Sequence, residues 1–334
     1  MKNLYLGYET AKWYWEHAFN AAQTLRTCSY ASSLNGCVTT TTDVYEVVEG
    51  TLFEKMPLHV MTKQTHSNNS QNIFFHEHGS SFPKYSFVQL APNIFIASPQ
   101  LSFIQICCSH SFGQAFLYGC NLCGVYALSD ANGYGVEKRT RIISVRRLQS
   151  FADENKGIYG LVEARKISKY LVNDSASPRE TAAFGALTLP LMYGGMGLSG
   201  ASLNSRIDIP KRYEWPGKRK FYVADIFWPE AKVAIEYDSD VAHAHRYGIY
   251  RDSEKRNTLI SMGYTPLCIT SVQLDNPSDF ALVADVVRRS LGQRRRPAPK
   301  EYNKRLMLLR KEMGLPWQTC NSDYIMTNFN KRNI

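Results

Sequence analysis

The chain has 334 residues, of which 44% are hydrophobic, and 39 Lys and Arg residues against 29 Asp and Glu residues give a net charge of +10. This length exceeds one average domain, and the apolar content can bury a sizeable core. No stretch approaches the roughly 18 apolar residues of a membrane-spanning helix, and acidic residues interrupt the aromatic N-terminal segment, so we expect a cytoplasmic protein without a membrane partner.

The first half of the chain alternates short apolar runs with polar turns, a pattern typical of strands in a small sheet. Helices are predicted to follow, because Ser98-Pro99 is a helix-start signal and the later segments are amphipathic. We therefore predict a smaller α+β domain over residues 1–172, which regulates the protein or binds a substrate or a protein partner. The predicted strands are Leu58–Val60, Ile73–Phe75, Phe87–Leu90 and Ile94–Ile96, and the predicted helices are 100–108, 115–126, 146–155 and 157–172.

A second region begins with a helix-start signal at residues 177–180. Ser177 suits the N-cap, Pro178 the first helical position and Glu180 the capping-box position. The glycine-rich segment 194–204 contains neither the Gly-Lys-Ser ending nor the GxGxxG pattern of a phosphate-binding loop. We expect this segment to be a loop that leads from the helix to the first strand.

Residues 223–238 predict two antiparallel strands joined by a turn at Pro229-Glu230. Asp225 is expected near the end of the first strand, and alternation puts Glu236 and Asp238 on one face of the second. Carboxylates on a buried strand face are costly unless a cation or hydrogen-bond donors compensate them. A turn-forming Asp and a solvated polar face are the structural alternatives, but the combination favours a metal site.

The metal ion expected at this cluster is Mg²⁺ or Mn²⁺. Such an ion takes a few carboxylate oxygens and keeps several waters, one of which can attack a phosphodiester. We expect Asp225 and Glu236 to be metal ligands, together with the backbone carbonyl of Tyr237, which lies between the two same-face carboxylates. Asp238 and His243 are candidates for handling the water and the proton, since imidazole titrates near neutral pH.

A helix is predicted downstream of the acidic cluster. Arg251, Lys255 and Arg256 lie there at helical spacing, where they can pair with the carboxylates or hold a phosphate. A core strand over 265–270 and a closing helix over 280–291 complete the region. We predict an α/β sandwich with a central mixed sheet over residues 175–292.

Positive charge is concentrated outside the acidic cluster. Residues 288–311 hold ten Lys and Arg residues against one acidic residue, and we predict a basic tail with a helix over residues 293–334. These residues can neutralise phosphates, although a solvated tail is the alternative. The candidate phosphate-binding residues are Arg294, Arg295 and Arg296 in the tail, and Lys218, Arg219 and Lys220 before the first acidic strand.

The segments ADIFWPEAKVAIEYDSDVAH and RDSEKRNTLISMGYTPLCIT resemble the PD-(D/E)xK restriction-endonuclease-like superfamily, in its Vsr-like branch of very-short-patch-repair nucleases. The resemblance covers about residues 175–292 and implies a restriction-endonuclease-like sandwich with a metal site. It places Asp238 where the superfamily has its lysine. The positions that match the family pattern are Glu180, Asp225, Glu236 with Asp238, His243, Asp252 with Arg256, and Gly263-Tyr264.

The order of elements before residue 175, together with the Ser98-Pro99 helix start, is similar to the region that precedes the nuclease domain in AbiEi-type abortive-infection proteins. From these features we predict a divalent-metal-dependent endonuclease or nickase that hydrolyses DNA phosphodiester bonds, in bacterial defence against phage or mobile DNA. One alternative is a catalytically degenerate regulator or antitoxin that binds DNA or a partner toxin without cutting. Another is an RNA-directed nuclease.

Overall fold

The computed structural model describes residues 2–66, 70–79, 81–129, 135–213, 219–238, 246–294 and 296–315. The chain divides into two compact units, 1–177 and 178–334. Both units combine helices with β-sheets, so the fold class is mixed α/β, as predicted. Over the described ranges, none of the helices has the length and apolar character needed to cross a membrane.

The elements of the first unit are β1 (Leu4–Leu6), α1 (Tyr8–His17), α2 (Ala21–Thr27), β2 (Tyr30–Ala31), α3 (Thr41–Val48), β3 (Leu58–Thr62), β4 (Ile73–Glu77), β5 (Phe87–Ala91), β6 (Ile94–Ala97), α4 (Pro99–Ser109), α5 (Phe112–Leu122), β7 (Tyr126–Ser129), β8 (Gly135–Lys138), α6 (Val145–Glu154) and α7 (Leu161–Ser168). Six strands form the main sheet in the order β2-β5-β6-β1-β3-β4. The four predicted strands are confirmed as β3 to β6, whereas β1, with its three residues buried in the centre of the sheet, was not predicted.

The helix predicted over 115–126 ends earlier than expected, at Leu122, and Tyr126 begins β7. Gly124 lies between them, where a Cβ atom would stand 2.8 Å from the backbone oxygen of Ser175. The N–H of Val125 donates to the same oxygen at 2.8 Å. This close approach by a distant part of the chain turns the backbone, and helical periodicity does not reveal it.

A buried arginine joins three parts of the first unit. Arg139, 6% exposed, donates to the backbone oxygens of Trp15 at 2.6 Å, Ala18 at 3.2 Å and Asn121 at 3.0 Å. Burial lowers its pKa to about 10. The guanidinium therefore satisfies carbonyl groups at the end of α1 and in α5, which would otherwise be buried without donors.

The elements of the second unit are α8 (Pro178–Thr188), β9 (Ser202–Asp208), β10 (Phe221–Trp228), β11 (Val233–Asp238), α9 (Arg246–Ser261), β12 (Thr265–Thr270), α10 (Ser271–Asp275), α11 (Pro277–Ser290) and α12 (Tyr302–Glu312). Four strands form a mixed sheet in the order β12-β11-β10-β9. β9, β10 and β11 are antiparallel, and α9 connects β11 to its parallel neighbour β12. β9 was not predicted, and it takes the end of the segment expected to be a loop.

Part of the predicted basic tail is a packed helix of the second unit. Leu306 and Leu309 of α12 are buried. The Tyr302 hydroxyl donates to the oxygen of Gly195 at 3.1 Å. Gly194, at φ +92°, approaches α12 so closely that a Cβ atom would lie 2.3 Å from the backbone oxygen of Arg305. The glycine-rich loop therefore packs against α12, and this part of the basic segment belongs to the folded second unit.

Candidate functional site

Asp225 lies in the middle of β10, because the strand continues to the buried Trp228; the expected position near a strand end is wrong. The pairing of β10 with β11 is regular only as far as Ile226 and Ile235. Beyond that point Oδ2 of Asp225 accepts the backbone N–H of Tyr237 at 2.7 Å. The carboxylate thus takes the place of a backbone carbonyl, and the regular ladder ends beside it.

Glu236 stands opposite Asp225 when the register of β10 and β11 is continued by one pair. Burial raises the pKa of Asp225, opposed by the Tyr237 N–H and by the charge of Lys255. Burial also raises the pKa of Glu236, to about 7; Lys255 opposes this shift, and Asp225 and Asp252 add to it. Two adjacent carboxyl groups that resist ionisation are typical of a site that receives a cation.

Lys255 of α9 reaches this pair of carboxylates. Its Nζ lies 2.5 Å from Oε1 of Glu236 and donates to the backbone oxygen of Val223 at 2.7 Å. Oε1 of Glu236 is buried and accepts no well-aligned hydrogen bond from the described residues, so its contact with the ammonium is an ion pair. Of the two roles expected for Lys255, the structure places it against the carboxylates.

The packing of α9 explains the position of Lys255. Leu259, one turn later on the helix, is buried in a cluster with Ala224, Phe227 and Ala234. Residues four apart share a helix face, so this anchor holds Lys255 over the sheet. The spacing of Lys255 and Leu259 was the sequence signal for this arrangement.

Glu180 is linked to the site by a hydrogen bond with Asn204 of β9. In the first turn of α8, Oε2 of Glu180 accepts a hydrogen bond from Nδ2 of Asn204 at 3.1 Å. Asn204 lies between the residues of β9 that pair with Ala224 and Ile226, and is therefore across from Asp225. Its φ of +46° departs from strand geometry. Glu180 is thus connected to the strand neighbour of Asp225.

The remaining predicted residues near the site are exposed. Asp238 ends β11, and Arg251 and Arg256 lie on the exposed side of α9. Cys268 of β12, which was not predicted, is in register with Glu236. Burial and the charge of Asp238 raise the pKa of Cys268, while Arg256 opposes the shift. Asp238 and Arg256 therefore lie near the same thiol, on the β12 side of the site.

The basic candidates other than Lys255 lie in exposed positions wherever the structure describes them. Three predicted site residues, His243, Lys218 and Arg295, lie outside the described residues. Arg219 and Lys220 precede β10 and are exposed, as are Arg294 and Arg296 after α11.

No protein-family model matches this sequence, and no significant match was found among curated proteins or solved structures.

The donor set suits a hard divalent cation. Asp225 and Glu236 offer carboxylate oxygens, and Oε1 of Glu236 contacts the described residues through its ion pair with Lys255. In a strand the N–H and the C=O of one residue point to the same side, so the carbonyl of Tyr237 points toward β10, as its N–H does. Across the described ranges, no three His, Cys, Asp or Glu side chains form a ready metal cluster. The residues fit Mg²⁺ or Mn²⁺ as a two-carboxylate site with a backbone oxygen.

A second polar cluster lies in the first unit. His59 Nδ1 is 2.9 Å from His76 Nε2, and the Tyr8 hydroxyl is 3.0 Å from His78 Nε2. The Tyr8 ring stacks on His76 with the ring centres 3.9 Å apart. Burial lowers the pKa of all three histidines, that of His76 to about 4. These imidazoles are therefore neutral at pH 7, and they gain positive charge only when the pH falls into the acidic range.

Proposed function

We propose that this protein is a divalent-metal-dependent endonuclease or nickase acting on DNA, with its site at Asp225, Glu236 and Lys255. The observation that carries the proposal is the meeting of two carboxyl groups of raised pKa with an ammonium group 2.5 Å from one of them. Carboxylates placed this way destabilise the fold unless a cation compensates them, so a catalytic use accounts for the arrangement.

The residues have separate roles in this proposal. Mg²⁺ or Mn²⁺ bound here would supply Lewis-acid polarisation and a water of lowered pKa. Asp225, fixed by the Tyr237 N–H, and Glu236 would hold the ion, with the Tyr237 carbonyl as a further oxygen. Lys255 would orient the attacking water or stabilise charge on a phosphate oxygen. Lys255 would thereby take the role of the superfamily's lysine, whose usual position on the strand is occupied here by Asp238.

The order of elements supports the proposed kinship with the PD-(D/E)xK superfamily and its sandwich fold. The helix with Glu180 comes first, followed by the strand with Asp225, the strand with Glu236, and the helix with Lys255. Gly263-Tyr264 then leads into β12. Exposed basic residues flank this region, which favours a polyanionic substrate such as DNA. A nuclease of this kind suits bacterial defence against phage or mobile DNA.

Cleavage assays test the proposal directly. Purified protein is incubated with supercoiled plasmid, single-stranded DNA and RNA in Mg²⁺, in Mn²⁺ and in EDTA. We expect DNA nicking or cutting that requires the metal and is lost in Asp225→Ala and Lys255→Met. Glu230→Gln, an exposed change in the turn before β11, is the matched control and should cut normally. Cutting that persists in Asp225→Ala would refute the site, and preferred cutting of RNA would replace the substrate.

A specific observation favours a second function, that of a binding-only regulator or antitoxin. The ammonium of Lys255 already compensates the charge of Glu236 without any metal ion. A degenerate site could be stabilised permanently in this way. This alternative predicts DNA binding without cutting in either metal, and unchanged binding in Asp225→Ala. The affinity of such a protein for DNA should fall steeply as the salt concentration rises. Changing Arg294, Arg295 and Arg296 to Gln should make the slope of log binding constant against log salt concentration shallower, by about 0.9 for each phosphate that is no longer neutralised.

A further inference from the structure

A continuous series of hydrogen bonds leads from α12 to the carboxylate of Asp225. Nη2 of Arg310, in α12, donates to the backbone oxygen of Asp275 at 2.9 Å. The Asp275 side chain accepts from Nη2 of Arg179 at 2.6 Å, and Nε of Arg179 donates to the Tyr237 hydroxyl at 3.1 Å. The Tyr237 N–H in turn donates to Asp225 at 2.7 Å. Each link joins a different element of the second unit.

The two arginines of this series are held in fixed positions. Arg310 is 1% exposed, and burial lowers its pKa to about 10. Arg310 also donates to the oxygen of Leu274 at 2.7 Å, so it clamps the end of α10 through two carbonyls. Burial lowers the pKa of Arg179, but its hydrogen bonds with Tyr237 and Asp275 outweigh this and raise it overall. A rigid planar guanidinium with two partners fixes their relative positions better than a lysine can.

We propose that Arg179 and Tyr237 are positioning residues for the metal site, anchored through Asp275 by Arg310 of the basic C-terminal helix. This inference rests on the proposed nuclease function, and it assigns the geometry of the site to residues that do not touch the substrate. Tyr237 is the connecting residue, because its hydroxyl is held by Arg179 while its backbone holds Asp225. Displacing its ring moves the N–H that orients one carboxylate, and also the neighbouring Glu236.

Three conservative variants interrupt the series at different links. Tyr237→Phe removes the hydroxyl, Arg179→Lys cannot bridge both partners, and Arg310→Lys loses the clamp on α10. We expect the amide hydrogen of residue 237 to exchange about tenfold faster in the first two variants, because its bond to Asp225 loosens. Removing such supporting interactions typically weakens metal affinity or activity by about 10- to 100-fold, and we expect a rise of that size in the Mn²⁺ Kd.

The control is Arg288→Lys, which changes an arginine of α11 that pairs with Asp285 outside this series. Amide exchange is followed by NMR on the full chain, and free Mn²⁺ is measured by EPR. With DNA, we expect kcat to fall in Tyr237→Phe and Arg179→Lys while KM stays within about twofold. A residue that only stabilised the fold would instead lower the melting temperature and leave the Mn²⁺ Kd unchanged.

The outcomes separate this inference from the proposed function. Unchanged exchange at residue 237 in both Tyr237→Phe and Arg179→Lys overturns the positioning role, whether or not the protein cuts DNA. Faster exchange without any Mn²⁺ binding or cutting by the wild type refutes the proposed function while the structural link stands. If Arg310→Lys fails to fold, the other two variants decide the question, since their side chains are only partly buried.

Discussion

Replacing Glu236 by Gln should stabilise the protein at pH 8 while abolishing metal-dependent cutting. Gln has nearly the same shape, keeps an amide oxygen beside the Lys255 ammonium, and carries no charge to be desolvated. A carboxylate retained at the expense of stability is typical of a functional site. The substitution therefore separates the structural role of Glu236 from its proposed catalytic role.

The size of the expected gain in stability follows from the pKa of Glu236, which is about 7 in the folded protein against an ordinary value of 4.5. A carboxyl group with the higher pKa in the folded state binds more protons when folded. Its contribution to stability is therefore present below pH 4.5 and is lost as pH rises to 7. At about 1.4 kcal/mol per pH unit, the full penalty at pH 8 is about 3 kcal/mol. The side chain is 36% exposed, and solvent screening reduces the expected gain to about 1–2 kcal/mol.

Thermal unfolding in EDTA at pH 5 and pH 8 measures this effect. Each kcal/mol shifts the melting temperature of a domain this size by about 2–4 °C. The gain of Glu236→Gln should be small at pH 5 and largest at pH 8, whereas Glu230→Gln, an exposed change in the same unit, should show no such dependence. Addition of Mn²⁺ should raise the melting temperature of the wild type and leave Glu236→Gln unchanged.

Two results would contradict the argument. If Glu236→Gln is less stable than the wild type at pH 8 in EDTA, the ion pair with Lys255 outweighs the desolvation of the carboxylate. If the gain is the same at pH 5 and pH 8, it does not come from ionisation of Glu236. Full cutting by Glu236→Gln would remove this residue from the proposed metal site.

Three further predictions concern other charged or titratable side chains. Lys255→Met should lower kcat at least about 100-fold while binding Mn²⁺, and normal cutting would exclude a catalytic role for the ammonium. The pKa of His76 is lowered from 6.5 to about 4, so its contribution to stability is present above pH 6.5 and lost as pH falls to 4. His76→Gln should reduce this acid sensitivity by about 1–2 kcal/mol, because solvent screening reduces the full effect of the shift; pH-dependent melting would reveal this, and the exposed His66→Gln should not show it. Arg139→Met should destabilise the first unit by about 3–5 kcal/mol in urea titrations, against less than about 1 kcal/mol for Arg141→Met; equal effects would refute the carbonyl-binding role.

Local periodicity allowed much of the secondary structure to be predicted. The strand over 265–270 has the predicted bounds, and the Ser98-Pro99 start gives α4, with Ser98 accepting the N–H of Leu101. The alternation in β11 placed Glu236 beside the turn-connected strand of Asp225. These features depend on neighbours within a few residues, so the sequence determined them directly.

Long-range packing decided what periodicity could not. The formation of β9 and the packing of α12 against Gly194 depend on segments that are far apart in the chain. The position of Asp225 within β10 depends on the pairing of this strand with both β9 and β11. The sequence placed carboxylates on a strand and basic residues on the helix after it. Only the tertiary structure selected Lys255 to meet Glu236, because the compensation of a buried charge depends on which cation the packing of a distant helix brings within a few ångströms.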